Sequence, residues 1–169
     1  DRNQEALDLY LHILPLSDDK AHTYYQLSEA AQGIGNHELA ITYLLKTLRL
    51  NPNNEDAMFE LYHSYDVLNK LDECIIQLNK FIDENPYSKH TWYNLGILYD
   101  RKEEYEKAID CYEFAVAIDE DYSSAFFNMG SACMVLKDFE KAVIQFKYAL
   151  EIEDHKDPYL LQSIGHCYF

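Results

Sequence analysis

WYNLGILYDRKEEYEKAIDCYEFAVAI, residues 92–118, holds a pattern of large and small apolar side chains that recurs along the chain every 34 residues. Four consecutive repeats share this pattern when they are numbered from Ala21, Glu55, Lys89 and Ser123. Their twentieth positions hold small side chains, namely Ala40, Cys74, Ala108 and Ala142. Their seventh positions hold large apolar side chains, namely Leu27, Leu61, Leu95 and Met129. The chain is therefore a repeat protein.

Each repeat is predicted to contain two helices. Its fourth, seventh and eleventh positions share one face of an α-helix, and its twentieth, twenty-fourth and twenty-seventh positions share one face of a second. Turn-compatible residues lie between the two helices at the fifteenth position, namely Gly35, Asn69, Glu103 and Lys137. Asn51-Pro52 and Asn85-Pro86 interrupt the chain between repeats, because proline cannot continue a helix. Each repeat is therefore expected to form a helical hairpin.

The third repeat carries the residues that point to a family. Trp92-Tyr93-Asn94-Leu95-Gly96 is followed by a helically spaced set, namely Tyr99, Tyr105, Ala108, Ile109, Tyr112 and Ala115. This set resembles the tetratricopeptide repeat. The resemblance implies an all-α fold, a right-handed α-α superhelix (solenoid) of antiparallel helix hairpins. The first two repeats depart from the family pattern at Ser28 and Tyr62, and these departures leave the fold prediction unchanged.

The register extends beyond the four complete repeats in both directions. On the N-terminal side, the repeat positions of the second helix continue at Ala6, Tyr10 and Ile13. On the C-terminal side, after one extra residue near 155–158, the repeat positions of the first helix continue at Leu161, Ile164, Gly165 and Tyr168. We therefore expect one array over 1–169, cut as a window from a longer one. It comprises the second helix of a truncated repeat at 1–18, full repeats at 21–54, 55–88, 89–122 and 123–157, and the first helix of a further truncated repeat at 158–169.

The last helix is expected to leave an apolar surface uncovered. It presents Leu160, Leu161, Ile164, Cys167, Tyr168 and Phe169. Terminal repeats of solenoids usually carry a polar outer face, so this surface predicts self-association through exposed terminal helices.

Charge and composition exclude several classes of partner. Lys and Arg number 14 against 30 Asp and Glu, a net charge of -16, and no cationic cluster is present to neutralise phosphates. We therefore expect no nucleic-acid partner. No stretch reaches the roughly 18 apolar residues needed to cross a bilayer, so no membrane partner is expected either. The sequence leaves the compartment open and favours the cytoplasm.

Catalytic and metal-binding chemistry finds no support in the sequence. Gly33-Ile34-Gly35 follows a helix and lacks the third glycine of a phosphate loop, so it is interpreted as a turn. The four cysteines occupy different positions of the repeat and form no paired motif, so they are interpreted as reduced thiols, mainly in the core. They are Cys74, Cys111, Cys133 and Cys167. We expect no enzyme activity, no cofactor and no metal site.

The resemblance implies that the first helices line a concave groove that binds a protein or peptide. The groove positions are occupied by Tyr25, Gln26, Glu29, Phe59, Glu60, His63, Tyr93, Asn94, Ile97, Phe127, Asn128 and Ser131. Asn94 and Asn128 each carry an amide donor and acceptor, which suits an extended peptide backbone. The fifth-position rings of Tyr25, Phe59, Tyr93 and Phe127 either supply apolar contacts to the ligand or pack against neighbouring first helices.

The charges of the groove predict the character of its ligand. Members of the family that capture acidic C-terminal peptides use Lys or Arg at groove positions, whereas the second position here holds His22, Asp56, His90 and Ser124. Glu29, Glu60, Asp66 and Asp100 lie nearby in the register. We therefore expect a cationic or apolar-aromatic partner and no binding of acidic tails.

Two functions remain open at the level of sequence. The first is a non-catalytic protein-protein interaction module that holds a protein or extended segment in its groove, as a scaffold or chaperone-like holder. The second is the recognition or regulatory arm of a larger protein, with an enzymatic or DNA-binding domain outside this window.

Overall fold

The computed structural model describes residues 2–154 and 157–168, and within these ranges it contains α-helices and no β-strand. The helices are α1 (Arg2–Ile13), α2 (Lys20–Gly33), α3 (His37–Leu50), α4 (Glu55–Val67), α5 (Leu71–Glu84), α6 (Lys89–Arg101), α7 (Tyr105–Ile118), α8 (Ser123–Val135), α9 (Phe139–Ile152) and α10 (Pro158–His166). Each of the four complete repeats therefore has the two helices that its periodicity predicts. No helix among the described residues is long and apolar enough to span a bilayer.

The helix contacts divide the chain into two compact units, 1–80 and 81–169. In the first unit α1 packs on α2, α2 on α3, and α3 on α4. In the second unit α6 packs on α7, α7 on α8, α8 on α9, and α9 on α10. Packing therefore runs between helices that follow one another in the chain. The single array over 1–169 stays a prediction, and the extra residue near 155–158 falls partly outside the described residues.

The core of each unit consists of side chains at the repeat positions that the 34-residue period predicts to be apolar. In the first unit the fully buried side chains include Leu27, Ala40, Leu44, Leu61 and Cys74. In the second unit they include Leu95, Ala108, Tyr112, Ala142 and Phe146. Small residues at the twentieth position allow the two helices of a hairpin to approach closely, and the large residues at the seventh and twenty-fourth positions fill the space beside them.

In the third and fourth repeats the aromatic ring at the fourth position lies at the edge of the core and packs against the ring at the twenty-sixth. The Trp92 ring stacks on Phe114 with centroids 4.3 Å apart, and its Nε1 donates a 2.8 Å hydrogen bond to the carbonyl of Pro86. In the fourth repeat the ring centroids of Phe126 and Tyr148 lie 5.3 Å apart. These rings are partly exposed because their partners lie on the outer part of the second helices.

Polar side chains begin several of the helices. The Asn54 side chain accepts a hydrogen bond from the backbone N–H of Ala57, and Ser88 accepts one from Thr91. Such caps satisfy N–H groups that have no partner within the helix. Asn51 is the C-cap of α3, and Asn85 follows the end of α5. The two Asn-Pro pairs therefore interrupt the helices where the sequence predicts.

The turn inside each hairpin has one backbone conformation in all four repeats. Gly35, Asn69, Glu103 and Lys137, at the fifteenth position, have φ angles of 75, 54, 61 and 63°. This left-handed region is open to glycine and costs most other residues about 1–2 kcal/mol. The sequence indicated a turn at this position, and the structure shows that Glu103 and Lys137 adopt a strained conformation there.

Replacing Lys137 by glycine is expected to raise the free energy of unfolding by about 1 kcal/mol, because glycine adopts this conformation without a steric penalty. Urea denaturation followed by circular dichroism measures the change. The control is Glu140→Gly, in the first turn of α9, which should instead lose about 0.5–1 kcal/mol. A loss of stability in Lys137→Gly would contradict the strain at this turn.

Candidate peptide-binding surface

The predicted groove residues lie on first helices in both compact units. Those on α2 and α4 form what we call the α2–α4 face, namely Tyr25, Gln26, Glu29, Phe59, Glu60 and His63. Those on α6 and α8 form the α6–α8 face, namely Tyr93, Asn94, Ile97, Phe127, Asn128 and Ser131. Each face is formed by helices of neighbouring repeats.

The α2–α4 face is held together by a polar bridge. The Nε2 of Gln32 on α2 donates hydrogen bonds to Glu60 Oε2 at 2.8 Å and to Ser64 Oγ at 3.0 Å, both on α4. The bridge fixes the half-buried Glu60 side chain. Beside it Phe59 is 60% exposed, so its ring is available for an apolar contact.

Carboxylates surround the Tyr25 hydroxyl on this face. Burial raises the pKa of Tyr25 to about 12, and the charges of Glu29, Asp56 and Glu60 add to the increase. The pKa of Glu29 is raised as well, first by burial and then by the charge of Glu60. His22 opposes this increase. Burial is the main cause of both increases, and the carboxylate charges that add to it show that Glu29, Asp56 and Glu60 lie close to Tyr25 on this face.

His63 lies at the edge of the α2–α4 face. Its ring meets the ring of His37 edge to face, with centroids 6.1 Å apart, and His37 Nδ1 lies 3.4 Å from Ser64 Oγ. His63 is exposed, and its place in a binding groove stays a prediction.

The α6–α8 face is built around Tyr93. Its ring packs against Tyr122 at 4.9 Å and Tyr112 at 5.8 Å, and its hydroxyl accepts a 3.1 Å hydrogen bond from Nδ2 of Asn128. Burial raises the pKa of Tyr93, while hydrogen bonds with Asn128 and Ser124 lower it. Tyr93 is therefore a positioned, half-buried ring and not a free aromatic side chain.

The fifth-position rings differ in exposure. Tyr25 and Tyr93 are half-buried, whereas Phe59 and Phe127 reach the surface more fully. The Phe127 ring also packs against Phe146, with centroids 5.7 Å apart. Tyr93 and Phe127 therefore make contacts within the chain, whereas apolar contact of the fifth-position rings with a ligand stays a prediction.

The two asparagines of the α6–α8 face have different environments. Asn94 is only 9% exposed, and its Nδ2 donates a 2.7 Å hydrogen bond to the His90 carbonyl in its own helix. Asn128 is partly exposed and bonds to Tyr93 through one of its two N–H groups. A peptide backbone could therefore reach Asn128 more readily than Asn94. His90 is also buried, with its ring 5.7 Å from that of Tyr122.

One pair near the α6–α8 face was missed from the sequence. The hydroxyl of Tyr112 donates a 2.5 Å hydrogen bond to Asp100 Oδ2, and Asp100 Oδ1 is buried without a hydrogen-bond partner in the described part of the chain. Burial raises the pKa of Asp100, and this hydrogen bond lowers it. Only the third repeat has a carboxylate at the twelfth position and a hydroxyl at the twenty-fourth, which is the signal that the sequence offers.

The cysteines are free thiols. Cys74, Cys111 and Cys133 are buried, and Cys167 is partly exposed. Burial raises the pKa of Cys74 to about 12 and does the same for Cys111. These thiols therefore stay protonated and pack as small apolar side chains. Residues 2–154 and 157–168 contain no cluster of His, Cys, Asp and Glu suited to a metal ion.

Helical hairpins repeated in sequence, with first helices that present polar and aromatic side chains, define a helical-repeat interaction protein. Residues 21–54 and residues 91–122 each match a model of the tetratricopeptide repeat. The chain belongs to the tetratricopeptide-repeat family.

Solved structures agree with this fold. MamA is 27% identical with a TM-score of 0.69, and the match covers 91% of this chain and 90% of MamA. YrrB, described as a tetratricopeptide-repeat protein with an unusual peptide-binding site, is 19% identical with a TM-score of 0.66. That match covers 99% of this chain and 84% of YrrB, and at this identity it shows the fold alone. The predicted all-α helical-repeat fold is confirmed.

A curated relative matches over part of its length. The chain is 30% identical over 95 residues to the photosystem I assembly protein Ycf3 of Prochlorococcus marinus subsp. pastoris. The match covers 53% of this chain and 55% of Ycf3, so the chain spans about half the length of that relative. The tetratricopeptide repeats support a role in protein interaction.

Proposed function

We propose that the chain is a protein-interaction scaffold that holds a cationic, extended segment of a partner against its first helices. The observation that carries the proposal is the placement of Glu29, Asp56 and Glu60 around the half-buried Tyr25, where their negative charges add to the effect of burial in raising the pKa of Tyr25. A lysine or arginine of the partner would relieve this repulsion. As a free scaffold or as the recognition arm of a larger protein, the chain would use the same face.

The composition of the surface supports this choice of ligand. Lys and Arg are absent from the second, fifth, sixth, ninth and twelfth positions of the four complete repeats. An acidic peptide would therefore meet carboxylates of like charge at these positions, which costs binding energy. The exposed ring of Phe59 beside Glu60 adds an apolar contact next to the charged site, since aromatic side chains often anchor interfaces.

Backbone recognition on the α6–α8 face is the second part of the proposal. Asn128 is fixed by its bond to Tyr93 and has a carbonyl oxygen that can accept a hydrogen bond from an extended chain. Its neighbour Phe127 offers an exposed ring edge. The assembly role named for Ycf3 agrees with a protein that holds segments of other proteins.

Binding is tested with two fluorescein-labelled peptides that alternate lysine or glutamate with tyrosine. We expect the lysine peptide to bind, more weakly as salt rises, and the glutamate peptide not to bind. The variant Glu29→Gln/Asp56→Asn/Glu60→Gln should weaken binding about tenfold or more, because it removes the local carboxylates. Glu60→Gln retains an oxygen that can accept the hydrogen bond from Gln32. Fluorescence anisotropy measures the affinities.

A matched control separates this site from the overall charge of the chain. Glu106, Asp110 and Glu113 are exposed on α7, a second helix, and the variant Glu106→Gln/Asp110→Asn/Glu113→Gln changes the net charge by the same amount. This variant should bind the lysine peptide nearly as well as the unmodified chain. Equal losses in the two triple variants would show a diffuse effect of charge and contradict the proposal.

A further inference from the structure

We infer that an open concavity between the start of α8 and the end of α9 binds an arginine side chain of a partner protein. The concavity has a volume of about 390 Å³ and is lined by Glu120, Asp121, Phe126, Tyr148, Glu151 and Ile152. All six residues belong to the second compact unit. The site shares no residue with the α2–α4 face or the α6–α8 face, so the inference does not depend on the proposed function.

Two aromatic rings form the apolar part of this site. Phe126, at the fourth position of its repeat, is half-buried, and Tyr148, at the twenty-sixth, is 51% exposed. Their ring centroids lie 5.3 Å apart, with 32° between the ring planes. The face of an aromatic ring attracts a cation through the ring quadrupole, so this pair suits a positively charged group.

The third repeat differs at the residue beside this space. Its fourth position is Trp92, whose larger ring stacks on Phe114 and whose Nε1 donates a hydrogen bond to the carbonyl of Pro86. Phe126 is smaller and has no N–H for the carbonyl of Glu120, which occupies the position of Pro86. The exposure of the twenty-sixth position does not come from its place in the chain, because Phe114 is 52% exposed with three further helices after it.

The first repeat shows that a cation fits at these positions. Its twenty-sixth position is Lys46, whose Nζ lies 5.2 Å from the ring centroid of Tyr24, at the fourth position, and 5.4 Å from that of Tyr43. In the fourth repeat the twenty-sixth position is Tyr148, which presents a second ring and brings no ammonium group. The cation that the chain supplies in the first repeat therefore has to come from a partner in the fourth.

Carboxylates determine which cation the site favours. Glu120, Asp121 and Glu151 are exposed around the rings, and the described residues that line the concavity include no Lys or Arg. The ammonium group of Lys89 lies nearby in the sequence-adjacent pair that it forms with Asp119. Arginine suits the site better than lysine, because its planar guanidinium can stack on a ring while its N–H groups bond to carboxylates.

The site is tested by nuclear magnetic resonance of the isotope-labelled chain, titrated in moderate salt with the peptide acetyl-Gly-Ser-Arg-Ser-Gly-amide. The backbone amide signals of Asp121, Phe126 and Tyr148 should shift and approach saturation. Citrulline in place of arginine keeps nearly the same shape without the charge, and it should weaken binding at least about tenfold. Lysine in place of arginine should weaken it about threefold or more, because lysine cannot stack and bond in a fork at the same time.

Tyr148→Lys is the decisive variant, because it introduces the residue type that occupies the same position in the first repeat. The new ammonium group should cover the Phe126 ring and weaken binding of the arginine peptide at least about tenfold. Phe114→Lys is the matched control at the twenty-sixth position of the third repeat. It changes the net charge by the same amount and should leave the affinity within about twofold. Circular dichroism checks that both variants keep their helicity.

A second variant tests the carboxylates without changing the rings. Glu120→Gln/Asp121→Asn/Glu151→Gln alters exposed side chains and should weaken binding about fivefold or more. The variant Glu29→Gln/Asp56→Asn/Glu60→Gln should leave the shifts at this site unchanged, so failure of this site and failure of the proposed function are distinguishable. Amide signals that do not move, equal affinity for the citrulline peptide, or equal losses in Tyr148→Lys and Phe114→Lys would overturn the inference.

Discussion

Tyr112→Ala is expected to lower the free energy of unfolding by about 3–5 kcal/mol, the range found when a large buried aromatic side chain is removed. Tyr112 is fully buried, and its ring lies against Gly96 and Tyr93. Its loss leaves a cavity in the middle of the second compact unit and removes the hydrogen bond to Asp100. Urea unfolding followed by circular dichroism at neutral pH measures the change.

Tyr112→Phe separates the hydrogen bond from the ring. Phenylalanine occupies the same column at Phe146, so the ring itself should be accommodated, and the loss should be about 1–2 kcal/mol. A loss as large as that of Tyr112→Ala would show that the hydroxyl, and not the packing of the ring, dominates.

The effect of Tyr112→Phe should depend on pH. Burial already raises the pKa of Asp100 above its usual range, so its folded form holds a proton more tightly than its unfolded form, and stability falls as pH rises through the raised pKa. Removing the hydroxyl takes away the hydrogen bond that lowers this pKa, so the total fall in stability becomes larger and extends to higher pH. The destabilisation should therefore be greatest at neutral pH and least well below about pH 4, where the carboxyl is protonated in both the folded and the unfolded state. A pH-independent loss would contradict the role of Asp100.

Gly96→Ala is expected to lower the free energy of unfolding by about 1–3 kcal/mol, although alanine is the better helix former. The new methyl group would lie 2.7 Å from Cδ1 of Tyr112, closer than two carbon atoms can approach. The buried ring or the whole of α7 must then shift. Thermal and urea unfolding measure the loss.

Gly165→Ala is the matched control for Gly96→Ala. It places the same methyl group at the same position of the repeat, where nothing lies within 4 Å. It should stabilise α10 by about 0.5–1 kcal/mol when measured at low chain concentration. Opposite signs for the two substitutions are the expected result, and equal effects would show that contact with the Tyr112 ring does not decide the role of Gly96.

The fold follows from the sequence because its main determinants are periodic. The alternation of Leu95, Ala108 and Tyr112, with counterparts in each repeat, fixes which helix faces are buried. The helix boundaries follow from the Asn-Pro pairs and the fifteenth position, which are local signals. The 34-residue period does not predict backbone strain. The residue types of Glu103 and Lys137 give no indication that their backbone is left-handed.

The details of the candidate surface depend on pairs of residues that do not recur. The hydrogen bond from Asn128 to Tyr93 and the burial of Asn94 arise from particular neighbours, so a column assigned to the groove does not establish exposure. Likewise, the bridge from Gln32 to Glu60 and Ser64 needs three polar residues that occur together in the first two repeats. The repeat position of a residue predicts which face of its helix it lies on. The neighbouring side chains determine its hydrogen bonds and its exposure.

The uneven burial of the cysteines makes a selective chemical label possible. A thiol-directed fluorophore applied to the folded chain should attach to Cys167, since Cys74, Cys111 and Cys133 are enclosed in the core. The attached dye would stand at the end of α10, beside Tyr168. Its emission could then report in real time when that end of the molecule is covered and when it is released.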